Sequence, residues 1–171
     1  MSIYTRKGDT GRSSLFGVKR LYKDDIVFEV LGEIDCLNAL LGLFITKKRV
    51  KKYNILKKLQ RMNYRIMGLI SGDKRPIKDL NTIIKEMEQT IDYIMSKKKK
   101  LNRFLIFNKN EDAAFANFLR CKARTVERRF VHLARRKRED LCLFIPFYNR
   151  LSDLLFAISR DLESKETLLE I

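Results

Sequence analysis

From Asp24 to about residue 165, apolar side chains recur every three or four positions, the spacing of amphipathic helices. The first stretch, about 25–46, puts Val27, Val30, Leu31, Ile34, Leu37, Leu41 and Phe44 on one face, with Asp24 and Asp25 placed to cap it. The second, about 51–70, carries Ile55, Leu59, Met62, Ile66 and Leu69 and is broken by Ser71-Gly72-Asp73 and Pro76. The third, about 78–96, aligns Leu80, Ile84, Met87, Ile91 and Ile94, and starts near Asp79 or Asn81. A lysine run and a short apolar link, Phe104 to Phe107, lead into the fourth, about 111–137, with Phe115, Leu119, Ala123, Val126, Phe130 and Leu133 in register. The fifth, about 147–165, follows Pro146 and carries Leu151, Leu154, Leu155, Ile158 and Leu162. Short connections between five such helices predict an all-α, up-and-down five-helix bundle. Residues 1–22 lack the helical period and hold Gly8, Gly11 and Gly17, so an ordered polar segment, loop or short strand is expected there. No repeat or linker divides the chain. One domain is expected over 1–171, a leader (1–22) followed by the bundle (24–165).

Composition supports the helices and adds a charge problem. Apolar residues make up 45% of 171 positions, with seven Gly and two Pro, too little punctuation for a turn-rich β fold. Lys and Arg outnumber Asp and Glu by 37 to 21, leaving +16. A chain this basic meets an anion or tolerates self-repulsion, so nucleic acid, a polyphosphate nucleotide and an anionic membrane are the candidates. The longest uninterrupted apolar run, Ala39 to Ile45, is too short to span a bilayer, and no membrane role is expected. The N-terminus has no apolar h-region, which points to the cytoplasm. Cys36, Cys121 and Cys142 are odd in number and form no C-x-x-C, so buried reduced thiols are expected. A single histidine, His132, argues against a His-based metal site and a Ser-His-Asp triad.

The basic residues fall into two kinds. Lys47 to Lys52, Lys97 to Lys100 and Arg135 to Arg138 lie at helix ends or in connections, where cations suit the helix dipole. They are scattered along the chain, not gathered on one face between aromatics, so a nucleic-acid-binding module is the runner-up reading. Arg120, Arg124 and Arg128, with Glu127, instead share one helical stripe beside the apolar face. Guanidinium groups one turn apart repel unless an anion lies between them. Two readings stand evenly: a bidentate grip on phosphate, or an inter-helix ion-pair ladder with Asp35, Glu127 and Asp153. Asn149, Ser152 and Asp153 lie within one turn, where spacing favours helix capping over orienting a ribose or amide. The leader segment Thr5 to Ser14 packs two glycines, three cations and four hydroxyls into ten residues. It reads as a generic phosphate loop or a flexible basic arm; it is not the Walker A pattern.

Together these segments resemble the propanediol-utilisation type of ATP:cob(I)alamin adenosyltransferase. The resemblance rests on Tyr4-Thr5-Arg6-Lys7-Gly8-Asp9-Thr10-Gly11, Lys23-Asp24-Asp25, Gly32 to Asn38, the set Arg120, Arg124, Glu127, Arg128 and Arg129, and Asn149 to Asp153, in order and at the family's spacing. It implies transfer of the 5′-deoxyadenosyl group of ATP to cob(I)alamin with release of triphosphate. It further implies a homotrimer with ATP and Mg2+ between subunits, a separate cobalamin reductase as partner, and no nucleic acid. Thr5, Arg6, Lys7, Gly8, Ser13, Ser14 and Lys23 would hold the triphosphate. Arg124, Thr125, Glu127, Arg128 and Asn149 would complete the nucleotide site. Asp35 would pair with Arg120 across the subunit contact, and Phe104 would lie at the corrinoid face, where it helps displace the lower axial ligand of cobalt. The chain departs from the family at Cys36 (usually Glu), Asn117 (often His), Thr125 (usually Arg) and Phe107-Asn108-Lys109 (usually P-G-G). The alternative is a basic helical module that binds nucleic acid or senses ATP without transferring the adenosyl group.

Overall fold

A computed structural model describes residues 3–4, 6–15, 20–163 and 165–169. Five helices carry it: α1 (Ile26–Thr46), α2 (Ile55–Ile70), α3 (Leu80–Met95), α4 (Glu111–Lys137) and α5 (Ile145–Leu162), with a 3-10 helix, Glu139–Phe144, between the last two. α4 lies between α1 and α5; α2 packs on α1 and α3 on α5. The expected all-α bundle is what forms. The apolar stripes close on one another, and Val30, Ile34, Leu37, Leu41, Phe44, Leu59, Ile66, Met87, Leu119, Val126, Phe130, Leu151, Leu155 and Ile158 are wholly buried. The segment Glu139–Leu162 has the length and apolarity of a membrane-crossing helix, but 56% of its most apolar window is buried among the other helices, so that apolarity belongs to the core.

Helix ends differ from expectation for local reasons. Asp25 caps α1, its carboxylate accepting the Val27 amide at 3.0 Å. α2 starts at Ile55, later than expected, because 47–53 forms successive tight turns pinned by buried Val50 and Tyr53. α5 starts earlier, at Ile145, because the 3-10 helix feeds directly into it, with Pro146 in its first turn. Asn149, Ser152 and Asp153 therefore sit inside α5. The capping expectation fails: the N-cap is Phe144, with no side-chain cap bond, and the Ser152 hydroxyl donates back to the Asn149 carbonyl at 2.9 Å. The cysteine expectation fails on burial but not on the free thiols. Cys36 and Cys121 are exposed and Cys142 half-buried, all three free.

Two small ribbons sit outside the bundle. β1 (Arg12–Ser13) pairs antiparallel with β2 (Leu21–Tyr22) in the leader, as the glycine-bearing, aperiodic sequence allowed. β3 (Leu105–Ile106), the apolar link after the lysine run, pairs antiparallel with β4 (Thr167–Leu168) near the C-terminus, where no element was expected.

Candidate functional site

α4 carries two sets of cations with different fates. On the side facing α1, Lys122, Arg129 and Lys137 meet Glu33, Glu29 and Asp25 at 2.5, 2.9 and 2.8 Å, an inter-helix ion-pair ladder. The Glu33 carboxylate holds the Lys122 ammonium above the ordinary lysine value, and Lys137 holds Asp25 below the ordinary carboxylate value. The second set, Arg120, Arg124 and Arg128, meets no carboxylate among the described residues. The ladder expected there, with Asp35, Glu127 and Asp153, does not form. Asp153 pairs with Arg150 at 3.1 Å, and Asp35 stands exposed at α1.

The stripe is nevertheless ordered. Arg120 Nε donates to Asn117 Oδ1 at 2.8 Å, one turn back, and its Nη2 reaches Cys121 Sγ at 3.3 Å. Asn117, the departure from the family's usual histidine, thus aims the first arginine, and its i−3 spacing is the sequence signal for that role. Thr125 bonds the Cys121 carbonyl at 3.3 Å and accepts from Arg128 at 3.4 Å. Arg124 is exposed and makes no hydrogen bond or ion pair among the described residues. Past Arg128, α4 continues with Val131, His132, Arg135 and Arg136 along an open groove of about 500 Å³.

α5 reaches the stripe from the other side. Asn149 Nδ2 donates to Glu127 Oε1 at 3.0 Å, joining the two motifs in space. Arg150 then ties Asn149 Oδ1 at 3.0 Å to Glu88 of α3 at 2.8 Å, so the Asn149 amide is held from both ends. Glu127 and Asn149 offer an acceptor and an amide of the kind that reads a nucleoside, beside guanidinium groups that suit its phosphates.

The leader forms a compact cation-bearing turn. The Gly11 amide bonds the Gly8 carbonyl at 3.2 Å, and the Lys23 amide bonds the Gly11 carbonyl at 2.9 Å. Gly11, at φ 71°, makes the bend that lets the ribbon close. The Lys23 ammonium lies over Gly8, where a Cβ would come within 3.1 Å of Nζ. Arg20 bonds the Lys7 and Arg12 carbonyls. Arg6, Lys7, Ser14 and Lys23 are exposed, Gly8 and Ser13 half-buried; Thr5 lies outside the described residues. Within this chain no hydrogen bond or ion pair among the described residues joins residues 6–23 to Arg120, Arg124, Arg128 or Asn149. Asp35 and Arg120 are likewise unjoined in one chain. α1 leaves Leu43 55% exposed and α4 leaves Phe118 52% exposed, large apolar side chains that the single chain does not cover.

Phe104 is 76% exposed, its carbonyl fixed by the Leu169 amide at 2.8 Å. Phe107, three residues on, turns inward and meets Phe156 of α5 edge to face, with centroids 6.2 Å apart.

Fold and site together define a five-helix bundle whose fourth helix carries an ordered arginine stripe that meets no carboxylate among the described residues. The profile of the cobalamin adenosyltransferase family matches residues 3–162. The chain is 32% identical over 166 residues to a corrinoid adenosyltransferase of Citrobacter freundii, an alignment covering 92% of this chain and 93% of that protein. It is 31% identical over 175 residues to the corrinoid adenosyltransferase MMAB of Homo sapiens, covering 96% and 70%. The fold matches, with TM-score 0.85 and 26% identity over 98% of this chain and 100% of the other, a variant PduO-type ATP:co(I)rrinoid adenosyltransferase from Lactobacillus reuteri complexed with ATP. The chain belongs to the cobalamin adenosyltransferase family.

Proposed function

We infer that this protein transfers the 5′-deoxyadenosyl group of ATP to cob(I)alamin, forming adenosylcobalamin and triphosphate. The observation that carries the reading is the ordered stripe Arg120, Arg124 and Arg128, left without carboxylates beside Glu127 and Asn149 in a chain of this family. In the reaction, the nucleophilic cobalt(I) of the corrinoid attacks C5′. A Co–C bond forms, the C5′–O bond breaks, and triphosphate leaves with the electron pair. No protein base is needed. The protein supplies orientation and positive charge where negative charge grows on the leaving group. Arg124 and Arg128 face that charge; Glu127 and Asn149 hold the nucleoside; Thr125 keeps Arg128 in the stripe. Thr5 to Gly8, Ser13, Ser14 and Lys23 grip the triphosphate with backbone amides, hydroxyls and ammonium groups.

The two halves of this site meet between subunits of a homotrimer, the leader of one protomer against the stripe of another. Three features support this: the exposed polar side chains of the leader, the lack of any link to the stripe among the described residues of the chain, and the exposed Leu43 and Phe118. Asp35 and Arg120 pair across the same contact. Mg2+ accompanies the nucleotide. Among the described residues no three His, Cys, Asp or Glu side chains converge, which fits an ion held mainly by phosphate oxygens and water. The ion adds positive charge to the leaving triphosphate. Phe104 offers an exposed apolar ring to the lower face of the corrinoid. Keeping water and other ligands from that axial position eases reduction of cobalt(II) to cobalt(I) by a separate reductase. Exposed free Cys36 and Cys121 suit the reducing cytoplasm.

The test is product formation under reducing conditions. Adenosylcobalamin and triphosphate, in equal amounts and only with both Mg-ATP and cob(I)alamin present, are expected. ATP binding with neither product would leave an ATP-sensing module. Mixing Lys23→Ala with Arg124→Ala protein, each inactive alone, tests the shared site. Recovery of activity on subunit exchange is expected; no recovery would place both halves in one protomer.

A further inference from the structure

The β3–β4 ribbon is two residues a side, too short to hold itself together in water. Its anchor is Arg160. This α5 side chain is wholly buried, which a guanidinium tolerates only when paired and hydrogen-bonded. Nε and Nη2 form a two-pronged bond to Glu166 at 2.7 and 3.0 Å, and Nη2 also donates to the Lys99 carbonyl at 2.9 Å. The Arg160 carbonyl in turn accepts Lys98 Nζ at 2.7 Å. Lys99 precedes β3, and Glu166 immediately precedes β4. One buried cation therefore ties the residue just before β4 to the connection that leads, six residues later, into β3, and the ribbon's last bond runs from the Leu169 amide to the Phe104 carbonyl. α5 ends at Leu162, and Thr167–Leu168 lies antiparallel beside Leu105–Ile106.

We propose that Arg160, Glu166 and β4 form a latch that positions Phe104 for the corrinoid, so that the C-terminal segment sets corrinoid recognition without contacting the nucleotide. Arg160 and Glu166 are positioning residues that act through Phe104; the inference rests on Phe104 facing the corrinoid. The chemistry needs such a device. An exposed ring on a free loop would samples many orientations, and each one excluded in advance favours the pose that shields the axial position.

Two variants loosen the latch without emptying the core. Leu169→Pro deletes the amide that bonds the Phe104 carbonyl and leaves Arg160 untouched. Glu166→Gln keeps the shape and removes the charge opposite Arg160. Each is compared with Phe104→Ala and with the double variants. Expected for both single variants is a KM for the corrinoid, assayed from cob(II)alamin under reducing conditions, at least fivefold higher and a KM for ATP within twofold of the parent, with amide exchange accelerated together over 104–106 and 167–169. Combined with Phe104→Ala, neither adds a further corrinoid defect, because both act through the same ring. Equal shifts in both KM values, no shift in either, or additive effects in the double variants would overturn the latch. Phe104→Ala with unaltered corrinoid kinetics would overturn the placement of Phe104 and the latch with it. Phe104→Ala impaired while the other two behave as the parent would remove the latch alone.

Discussion

The two flanks of α4 spend the same kind of residue in opposite ways. Toward α1, each cation has a carboxylate: Lys122 with Glu33, Arg129 with Glu29, Lys137 with Asp25. On the other flank, Arg120, Arg124 and Arg128 stand at successive turns without one among the described residues; Asn117 aims Arg120 and Thr125 holds Arg128 instead. The first arrangement is complete in itself and needs no ligand. The second keeps like charges close with no carboxylate among the described residues to offset their repulsion, which is why it is the flank proposed to take the triphosphate. A net charge of +16 cannot tell these apart. The distribution of partners can.

The sharpest way to break the comparison is Arg124→Ala. This side chain has no partner among the described residues, so its removal should leave stability within about 0.5 kcal/mol. Turnover should fall about 100-fold or more, the cost of losing one preorganised charge at a developing anion. Initial rates of triphosphate release, alongside urea unfolding, separate the two effects. A variant near parental turnover would strip the stripe of its phosphate role.

Next in size is Phe104→Ala. The ring is 76% exposed, so stability should barely change. Adenosylation starting from cob(II)alamin should drop about tenfold or more with the KM for ATP within about twofold, as the proposed corrinoid-side role of the ring requires. Parallel assays with prereduced cob(I)alamin show whether reduction is the affected step. Equal losses on the ATP and corrinoid sides would argue against that placement.

Arg129→Ala carries the comparison to the paired flank, where the expectation inverts. Turnover should stay within about twofold, while stability falls by about 0.2–1 kcal/mol, the ordinary worth of a partly exposed ion pair. A large loss of turnover here would mean that the two flanks do not divide as the pairing pattern indicates.

What could be read from the sequence follows the range of the forces involved. The five helices were legible because their signal is local: Val30, Ile34, Leu37 and Leu41 state a period of 3.6 without reference to the rest of the chain. The family was legible as a resemblance carried by short motifs, and the Glu127–Asn149 bond shows that two of those motifs adjoin in space. The choice between a phosphate grip and an ion-pair ladder was not legible, because it depends on which face of α4 meets α1. A ladder does exist, but built from Glu29, Glu33 and Asp25, not from Asp35, Glu127 and Asp153. The capping expectation for Asn149 failed because spacing does not reveal that a 3-10 helix starts α5 two residues before Phe147. β4 escaped because two residues carry no period and their partner strand lies about sixty positions away. Arg160 looked like any polar residue late in a helix; its burial comes from Glu166 and Lys99 folding over it.

The smallest predicted effect tests the paired flank by pH. The Lys137 ammonium, and then the Val27 amide, hold the Asp25 carboxyl below its ordinary value, so the folded state binds this proton less readily than the unfolded chain. A carboxylate shifted in this direction adds stability that is complete above its unfolded value, near 3.8, and disappears as pH falls through the lower folded value. Asp25→Asn keeps a good helix cap and discards the charge, so it isolates the pair from the cap. Urea unfolding at a series of pH values should show the parent slightly more stable than the variant, by a constant margin at pH 5 and above. The margin should close below about pH 4 and shrink at high salt, as expected of a pair near the surface. A margin that persisted unchanged at pH 2 would mean that the Asp25 charge is not what joins α1 to the end of α4.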